Sequence, residues 1–99
     1  MFTIEYAADV PDDWAELRAA DQKRIRQRIQ EQLTSQPNVQ TRNKKFLAGL
    51  KAPWDHAEPL WELRVGQYRV FYDVNETEAK VTVRAIREKP PHKTTEEIL

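Results

Sequence analysis

The sequence predicts an α+β domain in which an N-terminal strand and a helical hairpin pack on an antiparallel β-meander. Three observations carry this. Phe2, Ile4 and Tyr6 alternate with Thr3 and Glu5, the period of a half-buried strand. Ile25, Ile29 and Leu33 recur every fourth residue, one apolar stripe of a helix. From Leu60 onward, apolar alternation resumes in three runs separated by the turn signals Gly66-Gln67 and Asn75–Glu78. A chain of 99 residues fits one domain with one core, so residues 1–99 are expected to fold as a unit.

Each element has its own signals. Val10-Pro11-Asp12-Asp13 opens a first helix, because proline and acids suit a first turn whose N–H groups lack partners. Trp14, Leu17 and Ala20 give it an apolar face, and Asp21 reads as the cap of the second helix. Around the Ile25–Ile29–Leu33 stripe the positions are polar, including Lys23, Arg24, Arg26 and Arg28, and Gln36-Pro37-Asn38 ends the helix. Residues 38–59 lack periodicity and contain Gly49, Pro53 and Pro59. They read as a long connection with a short helical turn near Phe46–Leu50, and connections of that length are often functional.

The meander strands are expected at Leu60–Val65, Tyr68–Val74 and Lys80–Ile86. Period two turns Trp61, Leu63, Val65, Tyr68, Val70, Tyr72, Val74, Val81, Val83 and Ala85 toward the helices. The opposite face then carries Glu62, Arg64, Arg69, Phe71, Asp73, Thr82, Arg84 and Ile86. The tail from Arg87 to Leu99 contains Pro90-Pro91 and is expected to be extended, then briefly helical from Thr94. The expected core is Ile25, Ile29, Leu33, Leu63, Val70, Tyr72, Val81 and Val83.

Composition narrows the functions. Hydrophobic residues make up 39% and charged residues 32%, ordinary usage for a globular protein in water. No apolar run approaches the roughly 18 residues of a membrane-spanning helix. Met1-Phe2-Thr3-Ile4-Glu5 has neither the charged nor the apolar region of a secretory signal, and there is no cysteine, so a cytoplasmic location is expected. Without cysteine there is no thiol catalysis and no thiolate metal site. With only His56 and His92, no metal is expected. Two glycines cannot build a nucleotide-binding glycine loop, and no cofactor is expected. The net charge is zero, but residues 32–54 hold four bases (Arg42, Lys44, Lys45, Lys51) and no acid, so that segment is locally cationic.

The chemistry therefore rests on basic residues. Arg64, Arg69 and Arg84 fall on one sheet face, Lys89 and His92 lie just past the last strand, and Arg42, Lys44 and Lys45 sit in the connection. A guanidinium on a rigid strand is a planar, permanently charged donor that fits phosphate oxygens. A cleft of such groups can bind an RNA backbone and stabilise a phosphorane-like transition state. The same arginines can equally be cross-strand partners of Glu62 and Asp73. Phe71 on the open face and Trp54 in the connection leave apolar surface for a partner to cover.

The stretch Trp61-Glu62-Leu63-Arg64-Val65-Gly66-Gln67-Tyr68-Arg69-Val70-Phe71-Tyr72-Asp73-Val74 resembles the central hairpin of the RelE/ParE superfamily, the toxins of bacterial type II toxin–antitoxin modules. Thr41-Arg42-Asn43-Lys44-Lys45 resembles a segment of a RelE-like subgroup, and the order of elements agrees over nearly the whole chain. The resemblance implies a fold related to microbial ribonucleases and a cognate antitoxin that wraps the toxin, with a homodimer as a further expectation. For RelE-like members it implies a metal-independent mRNA interferase acting on the ribosome, in which the mRNA 2′-hydroxyl attacks its own phosphate. For ParE-like members it implies inhibition of DNA gyrase through protein contact.

By that resemblance Arg69 matches the strand arginine that contacts the scissile phosphate, and Lys89 the basic residue after the last strand. Two family lysines are replaced by Leu60 and Glu62, and a tail tyrosine falls near Thr95. Glu62 or His92 can supply the proton transfers instead, while Glu62 can also serve as a partner of Arg69 and His92 as a surface residue. Arg69, Lys89 and the cationic loop favour a nuclease. The missing lysines and tyrosine and the neutral net charge favour a toxin that works by binding protein.

Overall fold

The computed structural model describes all residues, 1–99. Its elements are β1 (Thr3–Tyr6), α1 (Val10–Ala15), α2 (Ala19–Leu33), β2 (Lys44–Leu47), β3 (Leu60–Val65), β4 (Tyr68–Asn75) and β5 (Lys80–Glu88), followed by a 3-10 turn at Glu96–Ile98. They form one five-stranded sheet in the order β1-β5-β4-β3-β2. β1 runs parallel to β5, and the other pairings are antiparallel. No helix is long and apolar enough to cross a membrane.

Both helices cover one face of the sheet. Val10, Trp14, Ile25, Ile29 and Leu33 pack on Leu63, Val70, Tyr72, Val81 and Val83, and the eight expected core residues are all fully buried. Burying an aliphatic side chain of this size is worth about 1.5–3 kcal/mol. Trp61 stacks on Tyr72, and the Tyr72 hydroxyl donates to the Pro37 carbonyl at 2.7 Å, which fixes the chain leaving α2 against the sheet. The β3–β4 turn is the expected Gly66-Gln67, with Gly66 at φ +59, where a side chain would be strained. A Cβ at Gly66 would also lie 3.3 Å from the Arg24 guanidinium.

The structure corrects five expectations. Residues 44–47 form an edge strand, where a helical turn near Phe46–Leu50 was expected. Four residues are too few for period two to declare itself, and pairing with β3 decides the conformation. The first helix ends at Ala15, leaving Ala20 exposed in α2. The residue flanking α2 is Arg18, in extended conformation, so Asp21 is not its cap. Asp21 instead sits buried in the first turn of α2, accepts the Tyr68 hydroxyl at 3.0 Å and faces Arg18 and Arg24. Along β5, Phe71 pairs with Ala85 while Tyr72 pairs with Val83, so Arg84 is an extra residue in a bulge. A bulge reverses parity beyond it, so Ile86 joins the helix-side core and Ala85 faces the other way.

The fifth correction concerns Phe71, which is 0% exposed. It lies in a second small core with Leu60 and Ala85, covered by Leu47, Leu50, Ala52 and Trp54 from the connection and by Ile98 and Leu99 from the tail. The Trp54 and Phe71 ring centroids are 5.6 Å apart. The long connection thus folds back over the sheet face that alternation alone leaves open. It is held by Asp73, whose Oδ2 accepts the Ala57 N–H at 2.8 Å and the Arg84 Nε at 2.7 Å.

Burial raises the pKa of Tyr6, Tyr68 and Tyr72 above the ordinary 10.0, and for Tyr68 the bond to Asp21 adds to it. A raised folded-state value means that the unfolded chain loses these protons first. Stability is then full below about pH 10 and falls as the pH rises toward the folded-state values. Tyrosinate absorbance should therefore rise in step with the loss of circular dichroism in an alkaline titration; tyrosinate formed in a still-native chain would contradict the burial.

Candidate functional site

The sheet face away from the helices carries one polar cleft. β2 supplies Lys45, β3 supplies Glu62 and Arg64, and β4 supplies Arg69, because alternation sends these side chains to the face opposite Leu63 and Val70. Residues 41–43 close one side, pinned by the Arg64 N–H donating to the Asn43 carbonyl at 2.7 Å. The resulting cleft is about 100 Å³ and is lined by Thr41, Arg42, Asn43, Lys44, Lys45, Glu62 and Arg64, with no apolar wall.

Glu62 is the centre of charge. It is 3% exposed on a rigid strand, so its carboxylate must be paired. Its Oε1 lies 3.7 Å from the Arg69 Nε and 3.9 Å from the Lys45 Nζ, and its Oε2 accepts the Thr95 hydroxyl at 2.7 Å. Arg69 is 6% exposed; its Nη1 donates to the carbonyls of Gly66 and Tyr68, each at 2.9 Å. Burial, together with repulsion from Arg64 across the strand pair, draws its pKa below the ordinary guanidinium value, and Glu62 opposes the shift. The Arg69 Nε is a buried donor with no hydrogen-bond acceptor. An orphaned guanidinium donor next to a polar cleft suits an anionic oxygen.

The sequence-derived candidates divide. Arg42, Lys45, Glu62 and Arg64 meet at the cleft with Arg69 beside them. Lys44 does not serve there as a free cation. It is 3% exposed, its Nζ donates to the carbonyls of Gln32 (3.2 Å) and Gln36 (2.6 Å), and burial lowers its pKa. Even register pairs Lys44 with Leu63 on the helix side of the sheet, where it caps the C-terminal end of α2. Arg84 turns away to its pair with Asp73. Lys89 follows β5, with its N–H on the Gln67 carbonyl, and His92 is exposed in the tail; neither lines the cleft. Trp54 is a cover of Phe71, not an open docking surface.

Two residues outside the candidate set matter to the site. Thr95 bonds Glu62, which puts the tail directly over the cleft's carboxylate. Arg87 is the cross-strand partner of Arg69, as Arg64 is on the other side, so three arginines stand in one row across β3, β4 and β5. Arg87 is already engaged: its Nη1 donates to Asp13 Oδ1 at 2.8 Å, and its guanidinium lies 5.1 Å from the Trp54 ring centre. Only the bulge brings Arg87 into that row, and uniform alternation would not place it there.

A small helical layer on a mixed five-stranded sheet is also the fold of solved RelE toxins. The chain superposes on a chain of the RelBE2 toxin–antitoxin complex of Mycobacterium tuberculosis with a TM-score of 0.71 at 17% identity, covering 89% of this chain and 98% of that one. The isolated RelE toxin of E. coli gives 0.69 at 17% identity, with 98% and 94% covered. The archaeal RelE–RelB complex of Pyrococcus horikoshii gives 0.61 at 19%, with 94% and 98% covered. At such identities the likeness defines the fold. Residues 4–89 match the family described as ParE toxin of type II toxin-antitoxin system, parDE. The chain belongs to that family and is a type II toxin of the RelE/ParE superfamily. No curated protein sequence matches it.

Removing Lys44 separates its capping from any role in binding. Lys44→Ala should cost about 1–3 kcal/mol, because the Gln32 carbonyl at the end of α2 and the Gln36 carbonyl just beyond it lose a charged donor, whereas exposed Arg42→Ala should stay within about 0.5 kcal/mol. Urea unfolding of both variants is the check, and equal midpoints would refute the capping role.

Proposed function

We propose that this toxin is a metal-independent endoribonuclease acting on mRNA, with the polar cleft as its active site. The carrying observation is one buried carboxylate, Glu62, held on a central strand among Arg69, Lys45, Arg64 and Arg42. Four cations around a single carboxylate attract a phosphodiester and repel a divalent cation. In this reading Glu62 is the general base. It takes the proton of the ribose 2′-hydroxyl, the oxygen attacks the adjacent phosphorus, the bond to O5′ breaks, and a 2′,3′-cyclic phosphate is left. Arg69 and Arg64 stabilise the charge gathering on the phosphoryl oxygens. The Lys45 ammonium, 3.9 Å from the Glu62 carboxylate, protonates the departing O5′. The Thr95 hydroxyl stands in for the ribose hydroxyl on Glu62, so RNA takes the position that Thr95 holds in the free toxin.

A second reading has its own support. Arg69 already donates to two backbone carbonyls, Glu62 is closed off by the tail, and the family matched is that of ParE toxins. These features suit a toxin that arrests growth by binding a protein such as DNA gyrase. In either reading the neutralising partner is a cognate antitoxin, as in the RelBE complexes that share the fold.

The two readings predict different outcomes. Glu62→Gln and Arg69→Ala should each lower RNA cleavage by about a hundred- to a thousandfold, the typical cost of one transition-state contact. Lys89→Ala and His92→Ala should change it little, and EDTA should not affect cleavage of free RNA. The measurements are growth arrest on induction and mapping of RNA ends. Arrest that survives Glu62→Gln with no cleaved mRNA would reject the nuclease in favour of a protein target.

A further inference from the structure

With Phe71 covered, the apolar surface left open lies elsewhere. Apart from Met1, the large hydrophobic side chains that remain exposed are Val39 (44%) and Phe46 (42%). Phe46 stands on the β2 edge strand, on the helix side of the sheet, with its ring edge-on to Trp61 at 5.9 Å between centroids. Beside it runs a groove of about 530 Å³ at the Leu60 end of β3, between β2 and the β4–β5 turn. Phe46, Trp61, Val74 and Pro59 form its apolar surface, and Glu58 and Glu76 stand at it as the charged residues. No basic residue lines it. Glu76 is positioned by a hydrogen bond from the Asn38 amide, and the Glu58 side chain is 66% exposed, with the His56 Nε2 3.5 Å from its Oε1.

This combination selects a guest. An apolar side chain alone would leave the two carboxylates unused, and an acidic one would be repelled by them. A guanidinium can lie flat on the exposed Phe46 ring, beside the buried Trp61, while its edge donates to Glu58 or Glu76, which a compact ammonium does less well. The volume also leaves room for a neighbouring aliphatic side chain.

We propose that this groove docks an arginine-anchored segment of the cognate antitoxin. The partner's identity rests on the toxin–antitoxin reading above, while the choice of arginine rests on the groove and does not depend on RNA chemistry. Neither glutamate belongs to the proposed catalytic cleft.

The test has two arms on the full chain. In the first, isotope-labelled toxin is titrated with the blocked peptide acetyl-Leu-Arg-Leu-amide and with its citrulline counterpart, which keeps the planar shape but loses the charge. Saturable shifts at Phe46, Trp61 and Glu76 are expected. Binding should be at least tenfold weaker for the citrulline peptide, and likewise for a Glu58→Gln/Glu76→Gln variant whose spectrum is otherwise native. Equal binding of the two peptides, or shifts centred on the Glu62 cleft, would overturn the proposal.

In the second arm the toxin is co-expressed with the product of a small reading frame adjoining its own, taken as the candidate antitoxin. Glu58→Lys/Glu76→Lys should reduce its capture at least tenfold and restore growth arrest in its presence. Undiminished capture would reject the groove as the antitoxin's anchor. A neighbouring product that binds neither form and does not relieve arrest would instead count against the toxin–antitoxin reading.

Discussion

One extra residue in β5 organises much of this molecule. Arg84 has no counterpart on β4, and the bulge it makes reverses which side chains point to the helices beyond it. On the near side Val81 and Val83 fill the helix-facing core; on the far side Ile86 takes that duty. Ala85, the small residue, is left opposite Phe71, where a bulkier side chain would compete with the Trp54 loop for space. The bulged residue itself supplies the guanidinium that holds Asp73, and Asp73 holds the loop. The closed second face and the row of arginines on β3, β4 and β5 both follow from that one insertion.

The helix-side core could be read from the sequence because each of its elements repeats its own signal. Ile25, Ile29 and Leu33 mark one stripe over two turns, and the meander strands are long enough for period two to be unmistakable. The cleft could be read in part. Glu62, Arg64 and Arg69 share a face within one hairpin, whose tight turn fixes the register. What failed were features set by distant partners. Lys44 looks like one base in a cationic run until pairing with Leu63 sends it under the end of α2. Phe71 looks exposed because nothing local announces that residues 47–54 return to cover it. Thr95 carries no signal beyond its polarity, and only the fold of the tail brings it to Glu62.

The cleft shows how a neutral protein can present a charged site. Bases and acids number 16 each, yet one acid alone lines the cleft, and several of the others are paired elsewhere. Asp13 holds Arg87, Asp21 faces Arg18 and Arg24, and Asp73 holds Arg84. Glu62 alone remains among the cleft's bases. A buried ion pair of this kind adds little to stability, since the desolvation cost nearly cancels the attraction. Its value lies in holding a carboxylate in a fixed place.

The parallel pairing of β1 with β5 has a consequence for the order of assembly. Thr3 lies beside Lys80, so β1 has no neighbour in the sheet until β5, the last strand of the meander, has been made. Helices and strands of high local content form early, but closure of a contact this distant in sequence comes late and slowly. During synthesis the apolar side chains of Phe2, Ile4 and Tyr6 wait without a sheet to join. The residues of the cleft span Thr41 to Thr95, so a nascent chain carries no finished site until Thr95 has been made. Topology thus acts as a timer, withholding the cleft until the segment that completes it has been made.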